Sequence, residues 1–275
     1  MARPPDTVGT VMKLKAGFFL LAFFGAVAAA APLIAPYSPY AQDLLRGLDA
    51  PTAAHPMGLD LLGRDILSRV MYGARVSFAA GFTVIAVSGL IGVLMGGMAA
   101  VWGGRTDMLL MRVVDVAQAF PGILLAIAVM AVLGPGFGNL LIALCLTGWA
   151  GFARLTRGQI LSLREREYVT AAVAAGAGKW RILTRHLLPN AAAPLLVEAA
   201  FGVASVIVAE AGLSFLGLGV QPPAPSWGSM LNEGRAFLLI APRLTVFPGL
   251  CLMLLALAVT LVGDALRDRL DVKRR

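Results

Sequence analysis

The chain reads as an all-α, polytopic membrane protein with six transmembrane helices. Three observations predict this. Of 275 residues, 59% are hydrophobic and only 14% are charged, against about 25% charged in an ordinary soluble domain. Several uncharged runs reach the ~20 residues that a helix needs to cross a bilayer. The 23 Lys and Arg residues gather in the short segments between those runs, where they act as topology signals. The net charge of +8 therefore carries no nucleic-acid reading.

Residues 1–15 form a basic tail with Arg3, Lys13 and Lys15. The first span occupies 16–36, of which 16–35 is uncharged. Lys13 and Lys15 ahead of 18–31, then Ala28-Ala29-Ala30, also fit a cleavable signal peptide, whose removal would leave the other five spans oriented as before. Residues 37–74 form a hydrophilic segment. Pro36, Pro39 and Pro51 keep its start extended, and 60–72 predicts an amphipathic helix with Leu62, Ile66, Leu67 and Val70 on one side.

Residues 75–265 hold a five-helix core. The second span, 76–104, is uncharged and contains Gly92 and Gly96, a spacing that permits close helix contact. The third and fourth spans share the uncharged run 116–153. That run is too long for one helix, and Gly134-Pro135-Gly136-Phe137-Gly138-Asn139 breaks it. The third span begins near Asp107, and Gln118, Phe120 and Pro121 are placed to kink it. A hydrophilic connection, 158–190, leads to the fifth span, 191–216. A Pro- and Gly-rich loop, 217–241, precedes the sixth span, 244–263, and 266–275 is a basic tail. Cys145 and Cys251 lie within apolar runs and read as packing residues. With the amino terminus cytoplasmic, 17 Lys and Arg fall inside and 6 outside, so the positive-inside rule predicts both termini in the cytoplasm.

Within 158–190, residues 162–177 have many helix formers and no proline. Ala171, Ala172, Ala175 and Gly176 make a smooth face that another protein can approach, with Pro189 expected to end the element. From composition alone the segment is equally a solvated loop. However, Thr170-Ala171-Ala172, Gly176 and Leu188-Pro189 resemble the EAA loop of ATP-binding-cassette importer permeases. Two departures stand out: Thr170 replaces the usual Glu, and His186 stands where Ile is general. His55-Pro56-Met57-Gly58 with Asp60, Gly63-Arg64-Asp65, Ser68-Arg69 and Gly73-Ala74-Arg75 is similar to the outside segment of the dipeptide, oligopeptide and nickel permeases. The stretch from Glu210 to Pro223, with Pro225-Ser226-Trp227-Gly228, resembles that subfamily's fifth-span signature. The blocks run in family order over about 16–265, and the chain is identified as similar to the second, "C"-type permease.

The resemblance implies a type I permease fold and a coupling helix that docks on a nucleotide-binding subunit. It further implies a homologous second permease, two cytoplasmic ATPase subunits that hold the ATP and Mg, and a periplasmic or lipid-anchored solute-binding protein. The localisation is then the bacterial inner membrane, in contact with its lipid. Peptides lead as cargo, with nickel, glutathione or another small solute open. The chain itself is expected to be non-catalytic and to bind no cofactor, metal or nucleic acid.

Asp115, Glu198 and Glu210 fall in or near spans, where ionisable groups usually face a bundle interior or water. Together with Gln118 and Ser214 they are the candidate pathway residues. Arg112 is expected to pair with Asp115 at i,i+3; Glu198 to meet water near one end of span five; Glu210 either to line the pathway or to bond Ser214 or a neighbouring helix. No phosphate-loop motif occurs, since Gly178-Lys179 is followed by Trp180. A serine hydrolase at Ser214 would need a base, and neither His55 nor His186 lies in a span. A self-contained transporter or channel fits six spans but leaves 158–190 without a task.

Overall fold

The computed structural model describes residues 7–272, with side-chain environments for residues 11–270. The elements are helical: α1 (Thr7–Ile34), α2 (Ile66–Trp102), α3 (Gly104–Gln118), α4 (Gly122–Leu133), α5 (Phe137–Leu163), α6 (Glu167–Ala174), the short α7 (Lys179–Arg181), a π-helical turn (Ile182–Leu187), α8 (Leu188–Phe215), α9 (Trp227–Gly234) and α10 (Arg243–Val272). Five segments are long and apolar enough to cross a membrane: Val11–Ile34, Ile66–Trp102, Phe137–Leu163, Lys179–Phe215 and Arg243–Leu270. α3 and α4 taken together are also long and apolar enough for a sixth, but they are bent by 83° at the break between them. The bend falls at Ala119–Phe120–Pro121, because Pro121 has no N–H and disfavours helical backbone at Phe120.

Both boundaries of the second span depart from the sequence expectation. No separate amphipathic helix forms over 60–72. The Asp60 carboxylate accepts from the N–H groups of Leu62 and Arg64, each at 2.9 Å, which holds a turn in place of a helix. Gly63 sits at φ +69° with its Cα against the Asp43 backbone. The helix starts only at Ile66, where Asp65 caps it by accepting from Ser68 N–H at 2.8 Å. It then runs 37 residues, about 55 Å at 1.5 Å per residue. That exceeds the ~30 Å hydrocarbon core, so the polar first turns of α2 project beyond it. The other end stops at Trp102, before the expected Gly104, because Gly103 and Gly104 take φ +63° and +52°.

The bundle has a large core where α1, α2, α8, α9 and α10 meet. Phe24, Ile66, Val70, Ile207, Trp227, Leu244 and Leu255 are buried there. Trp227 is fully buried, and its Nε1–H donates to the Val70 carbonyl at 2.9 Å. A second core between α2, α4, α5 and α8 includes Val84, Met130, Leu140 and Leu213. The tightest approach is α2 on α5: a Cβ at Gly92 would strike the Trp149 carbonyl and one at Gly96 the Ala153 carbonyl. The Gly92–Gly96 spacing thus lets two backbones touch.

Candidate coupling and translocation site

The two ends of the bundle carry different chemistry. At one end, α6 lies across the mouths of α2, α5 and α8. Val169 is its one buried residue. It packs in a small core with Ala100 of α2, Ile160 of α5 and Ile182, Leu183 and Leu187 of the π-helical turn. Arg164 ties the same corner by donating to the Ala100 carbonyl at 3.2 Å. Thr170, Ala171 and Ala175 are exposed and Ala172 is half-buried. The result is a short helix with a small-residue outer face, fastened to three spans through one apolar side chain.

The expected helix over 162–177 is in fact two pieces. α5 continues to Leu163, and α6 begins at Glu167 after an extended Arg166. Gly176 ends α6 at φ +79°. Gly176 N–H donates to the Val173 carbonyl at 2.9 Å and Ala177 N–H to the Ala172 carbonyl at 3.0 Å. This pair of bonds is a Schellman cap, which needs a left-handed residue at that position. Gly176 therefore sets a turn rather than extending the smooth face. Pro189 does not end the element. It stands in the first turn of α8, inside the continuous segment Lys179–Phe215. Leu188 N–H reaches back five residues to the Leu183 carbonyl, and this wide turn accommodates the proline's missing donor. Leu188 packs on the Val169 core and Pro189 is exposed.

The candidate pathway residues separate into three places. Asp115 does not pair with Arg112; it accepts from Arg154 of α5 at 2.8 Å. Both helices continue this contact one layer further, where Arg157 donates to Asp107 through two bonds of 2.5 and 2.6 Å. The packing of α3 on α5 brings Arg154 to Asp115, and the Arg157–Asp107 pair beside it is bidentate, the stronger geometry for a guanidinium and a carboxylate. Gln118 is exposed at the α3–α4 bend. Glu198 is exposed beside Gly151 and lines a cleft of about 200 Å³ with Leu155, Val197 and Arg267. Glu210 and Ser214 lie elsewhere, fully buried. Ser214 donates to Glu210 at 2.9 Å, and Ser77 of α2 approaches the other oxygen at 3.4 Å. Glu210 thus joins α8 to α2 inside the bundle and does not face the cleft.

At the opposite end, the segment between α1 and α2 folds onto α9 and α10 through a polar knot. Arg64 donates to Asp60 at 2.6 Å and to Glu233 at 2.7 Å. Arg69 donates to the same Glu233 at 3.1 Å and stands 3.4 Å from Asp60. Its side chain is only 1% exposed, so its charge depends on those two carboxylates. Asp65, besides capping α2, accepts from Ser68 Oγ at 2.7 Å and bonds His55 Nδ1 at 2.9 Å. Arg243 donates to the Leu48 carbonyl at 2.6 Å. Sequence reasoning found Asp60, Gly63, Arg64, Asp65 and Arg69 but missed Glu233, the shared acceptor. Its signal was a lone carboxylate in a Pro- and Gly-rich loop on the same predicted side as two arginines.

Among the described residues, no group of three or more His, Cys, Asp or Glu could hold a metal. The bundle, its broken third span and its externally mounted short helix define a multi-pass permease of the type I fold. The family model described as "Binding-protein-dependent transport system inner membrane component" matches residues 88–275. The chain belongs to this family and is an inner-membrane permease of ATP-binding-cassette transport systems. A glutathione transport system permease protein of Pectobacterium atrosepticum is 44% identical over 261 residues, covering 94% of this chain and 86% of that protein. A dipeptide transport system permease protein of Alkalihalophilus pseudofirmus is 42% identical over 259 residues, covering 94% and 85%. Among solved structures, a chain of an inward-facing methionine ABC transporter superposes with a TM-score of 0.59 at 18% identity, covering 71% of this chain and 93% of that one.

Proposed function

We propose that this chain is one transmembrane half of an importer for dipeptides and oligopeptides, driven through α6 by separate ATPase subunits. The observation that carries the coupling role is α6 itself: an exposed eight-residue helix rooted in the bundle by Val169 alone. A push on its outer face passes to the core that Val169 shares with Ala100, Ile160 and Leu183, and so toward α2, α5 and α8. Closely packed side chains move together rather than deform. A negative charge already stands in the first turn of α6 as Glu167, which favours the helix dipole without the usual glutamate at Thr170.

In this reading α6 and both termini face the cytoplasm, and the Arg64–Arg69–Glu233 knot faces the periplasm, as the distribution of Lys and Arg supports. The partners are a homologous second permease, two nucleotide-binding subunits that carry ATP and Mg, and a periplasmic or lipid-anchored binding protein. The chain performs no catalysis and holds no cofactor of its own. Nucleotide-driven closure shifts the spans between inward- and outward-open states by differential affinity. The names of the relatives support peptide cargo, and glutathione, itself a small peptide, is the second reading. Affinity purification from mildly solubilised native membranes tests the proposal. A second six-span permease and phosphate-loop ATPases in stoichiometric amount are expected; a chain that emerges alone, with ATP analogue present, contradicts it.

A further inference from the structure

We infer that the cleft between α5, α8 and α10 is a transit site for the charged termini of the cargo, with Glu198 receiving an ammonium group and Arg267 a carboxylate. The inference rests on the peptide reading above. The cleft is about 200 Å³, several water molecules' worth of space. Its walls are apolar, from Leu155, Val197 and Leu270, and its only ionisable lining residues are Glu198 and Arg267. Neither side chain makes a hydrogen bond or ion pair among the described residues.

Four features select a small zwitterion. The two charges are opposite, and neither has a partner among the described residues. Glu198 has room because Gly151 faces it: a Cβ there would lie 3.8 Å from its Oε1. Pro194, one turn before Glu198, joins Ala193 in the wall, and this apolar lining strengthens a charge-assisted contact made inside the cleft. The guanidinium in the same small space disfavours a bare divalent cation, and the carboxylate disfavours a simple anion. The cleft lies toward the α6 end of the bundle: Glu198 is ten residues beyond Leu188, and Arg267 and Leu270 follow the apolar run of the sixth span. A zwitterionic headgroup reaches that level too and is the competing occupant.

The test is uptake of radiolabelled dialanine by cells carrying the complete importer with wild-type, Glu198→Gln or Arg267→Gln chains. Each variant is expected to lower the maximal uptake rate about tenfold, the loss of one charge-assisted contact. ATPase co-purified per permease stays at the wild-type level, which shows that the complexes assemble. Uptake within twofold of wild type in both variants overturns the inference alone. Absence of uptake by the wild type overturns the peptide reading and this one with it. Loss of co-purifying phosphatidylethanolamine from both variants with uptake intact also overturns it, assigning the cleft to a zwitterionic headgroup.

Discussion

Substitutions at Gly176 separate two roles that the residue could have at the end of α6. If smallness on a docking face is what matters, Ala is tolerated and Asn is not. If the turn is what matters, the order reverses. The structure favours the turn. Gly176 has φ +79°, its N–H and that of Ala177 close the Schellman cap, and a Cβ placed there would meet nothing within 4 Å. The cost of Gly176→Ala is therefore backbone strain with no steric part, about 1–2 kcal/mol for an L-residue in the left-handed region. At tenfold per 1.4 kcal/mol, that is about a five- to thirtyfold loss of correctly terminated α6. Gly176→Asn costs less, because asparagine bonds its own backbone there. The assay is the amount of ATPase retained by tagged permease, together with peptide uptake per unit of permease in the membrane. The expected order is wild type, then Asn, then Ala. Asn equal to or below Ala would refute the turn assignment and return Gly176 to the docking face.

Four other outcomes follow from the geometry. Arg69→Ala removes one of the two guanidiniums on Glu233 while Arg64 still pairs with Asp60 and Glu233, and it is expected to lower stability by about 2 kcal/mol, read as a fall in the melting temperature of the purified complex. Gly96→Ala drives a methyl into the Ala153 carbonyl and is expected to cost about 1–3 kcal/mol, seen as protease sensitivity of the α2–α5 pair, while Gly138→Ala, with nothing within 4 Å, serves as the silent control. In double-mutant cycles, Asp107 and Arg157, bonded twice and only 23% and 33% exposed, are expected to show stronger coupling than Asp115 and Arg154. The latter pair is 56% exposed on both sides, where coupling of at most about 1 kcal/mol is usual. Thr170→Glu adds a second acid near the α6 amino terminus and is expected to strengthen ATPase retention or leave it unchanged; weaker retention at equal expression would count against the family carry-over.

The membrane-crossing helices were legible because each is written as an uncharged run, and bilayer thickness converts run length into structure. The break in the third span was legible because Pro121 acts locally. What stayed hidden depends on contacts distant in sequence. Residues 60–72 carry a helical apolar pattern, yet Asp60 captures two backbone donors and Gly63 packs on Asp43, so local polar bonding prevails over periodicity. Asp115 had a plausible partner at Arg112, and only the packing of α3 on α5 brings Arg154 to it. Glu233 is 169 residues from Arg64, and no spacing rule links them. The short helix α6 was visible in part as the small residues Ala171-Ala172 and Gly176, but the turn role of Gly176 needed a φ angle.

The most direct test of the account is site-specific photo-crosslinking in native membranes. A photoreactive residue at Ala175, exposed beside the α6 cap, is paired with one at Leu61, 51% exposed at the far end of the bundle. The account predicts that Ala175 crosslinks to a nucleotide-binding subunit and Leu61 does not. Crosslinks to that subunit from Leu61, or none from Ala175 in an assembled complex, would contradict it.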